Sequence, residues 1–119
     1  MNCSKRLPMA LFLMLRAHDK HHMVYVVCDG VRIGACQYCT YQSEDGKCFI
    51  LDFWVFPPYR GQGVGHECFQ ALETYTRGGG ALYYELNSAT QTAHGFWQHL
   101  GFADNGLDEE GKLLMIKGQ

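Results

Sequence analysis

From Met23 to Phe56 the chain reads as three apolar runs separated by turn signals. Met23–Cys28 and Ile33–Tyr41 are rich in β-branched and aromatic residues and flank Asp29-Gly30, a pair suited to a two-residue turn, so they predict an antiparallel hairpin. Ser43-Glu44-Asp45-Gly46 marks a second turn. The nearly unbroken apolar stretch Cys48–Phe56 then predicts a third, central strand covered on both faces. Beyond it the period changes. His66–Arg77 contains neither glycine nor proline and places Cys68, Ala71, Leu72 and Tyr75 at helical spacing, and Gly78-Gly79-Gly80 supplies the left-handed residue that ends a helix. Ala81–Asn87 predicts a strand, Thr92–Leu100 a short helix with Gly101 after it, and Leu113–Ile116 a last strand after the turn Asp108-Glu109-Glu110-Gly111. Upstream, residues 8–18 carry strong helix formers without glycine and predict one N-terminal helix.

A chain of 119 residues suffices for one hydrophobic core and is short for two, so one domain spanning 1–119 is expected, with 1–22 as a helical segment and 23–117 as the core. Three antiparallel strands followed by alternating helices and strands place it in the α/β class in its broad sense (α+β). No internal repeat, low-complexity tract or linker interrupts it.

Composition narrows the partners. Hydrophobic residues at 47% and charged residues at 18% suit a globular protein and fit neither a disordered nor a membrane chain. A net charge of -2 gives no general attraction to nucleic acid or anionic membrane, so any anion site must be local. Leu7–Leu15, behind Lys5 and Arg6, is too short to span a bilayer and lacks a small-residue cleavage site, and a cytoplasmic setting is expected. The six cysteines are irregularly spaced and are expected to be reduced thiols. Cys36 and Cys39 lie three apart on a predicted strand and so face opposite ways, while His18, His21 and His22 lack a matching second ligand pair, so no metal is expected.

The chemistry concentrates in Arg60-Gly61-Gln62-Gly63-Val64-Gly65, where a strand passes through a glycine-rich turn into a helix. Such a turn aims backbone N–H groups at one point on the positive end of the helix dipole, and glycines let an anion approach the backbone. Arg60 adds a full positive charge, so the loop suits a pyrophosphate. A Walker A loop would continue with Lys-Ser or Lys-Thr, where His66-Glu67 stands. A dinucleotide fingerprint needs G-x-G-x-x-G at the opening of a parallel βαβ unit, and here an antiparallel meander precedes the loop.

In these residues the chain resembles the GNAT superfamily of N-acetyltransferases, which carries Arg or Gln-x-x-Gly-x-Gly or Ala after an apolar strand: Arg60, Gly63 and Gly65 occupy those positions. Leu51-Asp52-Phe53-Trp54-Val55-Phe56-Pro57-Pro58-Tyr59-Arg60 looks like the family's strand and loop, and Ala93-x-x-Phe96-Trp97-x-x-x-Gly101-Phe102 like its second motif. The resemblance covers roughly residues 23–117, and around Leu51–Val55 it is similar to the polyamine-acetylating branch. It implies a mixed, mostly antiparallel sheet with a splayed central gap and flanking helices. It further implies acetyl-CoA, bound through Arg60, Gly61, Gln62, Gly63, Val64 and Gly65, through the backbone of Phe53 and Val55, and through Asn87 and Phe96. An amine of a small molecule or peptide would be the acceptor, and a homodimer, with the apolar N-terminal segment as its interface, is a family expectation.

The catalytic groups depart from the family pattern. Its frequent base position holds Leu51 and its frequent acid position Trp97, and neither can exchange a proton in that role. A second base position used by some relatives corresponds to Glu85, and alternation places Tyr83, Glu85 and Asn87 on one face of their strand. The same rule sets Asp52 opposite Leu51 and Val55, in a structural or acceptor-pocket role, while His94, His99 and Cys48 are further proton-bearing groups. The alternative to an enzyme is a coenzyme A-binding sensor or scaffold of the same fold, and a nucleotide-binding protein ranks third.

Overall fold

The computed structural model describes residues 21–61 and 63–118. The N-terminal helix expected at 8–18, and Gln62 of the loop, lie outside them. Strands β1 (His21–Cys28), β2 (Val31–Tyr41) and β3 (Lys47–Val55) form the expected meander. Asp29 and Gly30 both take positive φ, as a two-residue hairpin turn demands. Helix α1 (Val64–Gly78), β4 (Tyr83–Asn87), α2 (Gln91–His99), β5 (Ala103–Leu107) and β6 (Leu113–Lys117) follow. The sheet order is β1-β2-β3-β4-β6-β5, with β3 and β4 parallel and every other neighbouring pair antiparallel.

Strand β5 carries no signal in the sequence: all five residues of Ala103-Asp104-Asn105-Gly106-Leu107 are exposed. It is a strand because β6 pairs with it across the turn at Asp108. Both helices end as their glycines suggest. Ala81 N–H reaches Thr76 O and Phe102 N–H reaches Trp97 O, each at 3.0 Å, with Gly80 and Gly101 supplying the left-handed residue.

Phe69 of α1, fully buried, is ringed by Phe53, Tyr84, Trp97 and Phe102 at centroid distances of 5.6–6.2 Å, mostly edge to face. Tyr84 also ties β4 to α1 through its hydroxyl, 2.6 Å from Thr76 Oγ1. A second cluster, Val26, Cys28, Ile33, Val64, Cys68 and Ala71, joins the start of α1 to the first hairpin. Both helices therefore cover one face of the sheet.

Close approach of β2 to β3 depends on Gly34, which opposes Val55 across the two strands. A Cβ there would lie 2.9 Å from the Trp54 carbonyl oxygen and 3.4 Å from Cys68 Sγ. Backbone cannot yield as a side-chain tip does, so Gly34→Ala is expected to destabilise the fold by about 1–3 kcal/mol. Urea unfolding checks this; an unchanged midpoint would show that the two strands give way freely.

Cys36, Cys39 and Cys48 are free thiols. Cys28 is disulfide-bonded, which corrects the expectation that all six cysteines are reduced. Among the described residues no helix is long and apolar enough to cross a membrane.

Candidate active site

The parallel pairing of β3 with β4 stops at Ile50 and Leu86, while β3 continues along β2 to Val55. Past that row the sheet is split. Phe56 N–H donates to Ile33 O at 2.9 Å, which makes Ile33/Phe56 a hydrogen-bonded row, and by alternation Gly34/Val55 next to it and Cys36/Phe53 two rows further on are not. The N–H and C=O groups of Phe53 and Val55 consequently point away from β2 into the gap. Among the described residues no strand lies beside this edge.

The split begins at a β-bulge. Gln37 pairs with Asp52 but Tyr38 with Ile50, which leaves Leu51 as an extra residue. Cys48 and Ile50 before the bulge, and Phe53 and Val55 after it, all pack toward α1 and α2. Leu51, 40% exposed, therefore joins Asp52 on the face opposite these helices, instead of sharing a face with Val55 as strict alternation requires. The bulge also corrects the expectation of a strand covered on both faces, since two consecutive residues stand in solvent.

Beyond Val55 a single helical turn, Pro57–Tyr59, leads into the glycine loop. Arg60 is exposed, and its Nε donates to Val55 O at 2.7 Å, occupying one acceptor of the free edge. Gly61 and Gly63 take φ of 82° and 73°, and Gly63 is the N-cap of α1. A glycine cap brings no side-chain oxygen to the first turn, and no side-chain hydrogen bond caps the helix. The N–H donors of that turn thus remain open to an outside acceptor. Helix α2 differs: Thr90 Oγ1 accepts from Ala93 N at 3.0 Å and closes that end itself. At Gly65 a Cβ would lie 2.8 Å from the Phe96 ring, so the missing side chain lets α2 close onto the loop.

These features border one cavity of about 650 Å³, lined by Phe53, Trp54, Val55, Arg60, Gly61, Gly63, Gly65, His66, Thr92, Phe96, His99 and Leu100. Eight residues singled out from the sequence are among them: Phe53, Val55, Arg60, Gly61, Gly63, Gly65, Phe96 and His99. Trp54, His66, Thr92 and Leu100 were not foreseen as lining residues, because β3, α1 and α2 come together around the cavity only in the folded chain. Three candidates lie elsewhere. The Val64 side chain is buried in the second cluster, leaving only its backbone to the loop. Asn87 Nδ2 donates to Asp108 Oδ2 at 3.0 Å and lies within 3.4 Å of Leu113 O. Glu85 is held by Lys47 Nζ at 3.4 Å and Asn105 Nδ2 at 3.2 Å, on the face opposite the helices, one row before the split.

The remaining proton-bearing groups can be sorted by environment. Trp97 is buried in the aromatic cluster. Burial raises the Cys48 thiol to about 12, and burial first, then Cys48 and Asp52, raises Cys36 well above its ordinary value. Neither thiol can carry protons near neutral pH. His94 is paired with Asp104 at 2.7 Å, whereas His99 lines the cavity. Among the described residues no group of His, Cys, Asp and Glu is arranged to hold a metal ion.

A strand split beside a bulge, a glycine loop and an uncapped helix start surround one cavity, and the sequence places the chain in a family. Residues 3–102 match the acetyltransferase (GNAT) family, and the chain belongs to it. No curated protein matches the chain in sequence. The same fold occurs in PaiA N-acetyltransferase from Thermoplasma acidophilum in complex with coenzyme A, at 17% identity and a TM-score of 0.66, over 84% of this chain and 62% of that one. It occurs in Tetrahymena GCN5, at 15% identity and 0.68, over 82% and 68%. A GNAT family acetyltransferase from Elizabethkingia anophelis with acetyl-CoA bound matches at 11% identity and 0.68, over 84% and 77%. The chain thus spans about three fifths to three quarters of the length of these proteins.

Proposed function

We propose that the chain transfers an acetyl group from acetyl-CoA to a primary amine of a small molecule or peptide. One observation carries this: the unpaired edge of β3, the uncapped start of α1 with Arg60, and the Phe96 wall border the same cavity. A ligand with a diphosphate at one end and amide groups along a narrow arm matches those features in turn. The coenzyme A and acetyl-CoA complexes of the Thermoplasma and Elizabethkingia proteins support that choice.

In this assignment the backbone of Gly61, Gln62, Gly63, Val64 and Gly65, with the Arg60 guanidinium, holds the diphosphate. Arg60 exchanges its bond to Val55 O for the phosphates, which frees that carbonyl for the arm. Phe53 and Val55 pair with the arm as a neighbouring strand would, and Phe96 covers it. Asn87 contributes beside the split once its amide leaves Asp108. Bound acetyl-CoA supplies the activated acetyl group. The acceptor nitrogen bonds to the acetyl carbon as the carbon–sulfur bond breaks, and a proton from the nitrogen balances the thiol released. Holding the amine against a fixed edge contributes through orientation alone, which suits a site lacking the family's usual acid.

Glu85 is the proposed base, supported by its carboxylate one row from the split and the Lys47 and Asn105 bonds that fix it. Glu85→Gln is expected to lower kcat at neutral pH by about 10²-fold or more. Turnover equal to that of the native chain would remove Glu85 from the mechanism. A cytoplasmic setting and a homodimer belong to the same proposal; sedimentation at several concentrations tests the second.

Release of free thiol from acetyl-CoA, measured with and without an added primary amine, tests the function directly. Amine-dependent release supports the enzyme. Tight binding with no release across a broad amine panel would leave a coenzyme A-binding module.

A further inference from the structure

Resting on the acetyl-transfer reading, we infer that Asp52 is the acceptor-selecting residue: its carboxylate draws positively charged amines to the closed end of the split. The bulge at Leu51 is what presents it, because two consecutive residues project from the face opposite α1 and α2 where β3 and β4 part. Asp52 directly precedes Phe53, whose backbone faces the gap, so its carboxylate stands one residue along β3 from the free edge. An amine held there reaches the edge from the side opposite the cavity that the helices cover.

Charge supports the same role. Among the described residues no Lys, Arg or His forms an ion pair with Asp52. The neighbouring carboxylate on that face, Glu85, is already bonded to Lys47 and Asn105. Farther off, Asp104 has His94 and Asp108 has its own turn. An exposed carboxylate without a cation beside it keeps its field toward solvent and attracts an ammonium ion, whereas a paired one does not. Leu51 beside it, also exposed, offers apolar surface to the carbon chain of such an acceptor.

The test uses butylamine, 1,4-diaminobutane and a lysine-containing peptide as acceptors, and compares the native chain with Asp52→Asn and Asp52→Glu. Asp52→Asn is expected to raise KM for each amine that is turned over by roughly tenfold at low salt, the magnitude of a lost charge-assisted contact. The gap should narrow as salt screens the native carboxylate. Asp52→Glu restores KM, while kcat and acetyl-CoA binding stay near native values in both variants. An unchanged KM, a salt-independent change, or an equal loss of acetyl-CoA binding overturns the role of Asp52 and leaves acetyl transfer standing. If the native chain acetylates none of the three acceptors, the transfer reading fails and this inference falls with it.

Discussion

Combining Arg60→Ala with Gly63→Val is expected to abolish the rise in melting temperature that saturating acetyl-CoA is expected to give the native chain. A ligand that binds only the folded state, present at 100 times its Kd, stabilises it by about 2.7 kcal/mol, which for a domain of this size is on the order of 10 °C. Both substitutions act on the end of the cavity proposed to hold the diphosphate. Arg60 supplies its full positive charge, and Gly63 holds φ 73° at the uncapped start of α1. A β-branched residue in that conformation costs about 1–2 kcal/mol or more, and relief of the strain turns the N–H donors away from their common point. A Cβ at position 63 meets nothing within 4 Å, so the variant still folds, and its unliganded transition is the control. A native chain that shows no shift at saturating acetyl-CoA would reduce the loop to a structural turn. A shift retained by the variant would move the anion site elsewhere.

The largest expected effect on stability comes from Phe69→Ala, about 3–5 kcal/mol. Phe69 is fully buried and touches the aromatic rings that join α1, α2, β3 and β4, so its removal leaves a cavity bounded by rigid neighbours. Since domains are stable by only about 5–15 kcal/mol, this variant should have lost much of its margin. Urea denaturation gives the number. A loss below about 1 kcal/mol would mean that Trp97 and Phe102 collapse into the space and that the cluster packs loosely.

These two variants separate the site from its support. Phe53 and Phe96 line the cavity and also meet the core aromatics, with 5.9 Å between their ring centroids. Loosening the core therefore reaches the cavity wall. The loop variant acts without touching that core.

Much of the architecture follows from local chemistry in the sequence. Asp29-Gly30 dictates the first hairpin because both residues accept positive φ, and the glycines after Arg77 and Leu100 end the two helices for the same reason. Apolar runs of strand length fix β1 to β3, and helical spacing fixes α1. The glycine loop is legible because strand, glycines, arginine and helix are contiguous, so one short segment carries the whole proposed anion site. Strand β5 is not legible, since Ala103–Leu107 has no apolar pattern and becomes a strand only through its partner β6.

What the tertiary structure alone decided is how faces and neighbours are assigned around the split. Strict alternation paired Leu51 with Val55, yet a single extra residue at the bulge turns Leu51 to the side of Asp52, because side-chain direction repeats every two residues and one insertion reverses it. The bond from Arg60 to Val55, the burial of the Val64 side chain, and the Lys47 and Asn105 partners of Glu85 likewise join residues whose order along the chain says nothing of their contact. The sequence specified the elements and the anion loop through interactions between near neighbours. The cavity's remaining walls, and the exposure of Asp52 with no ion pair among the described residues, arise only when distant strands and helices pack.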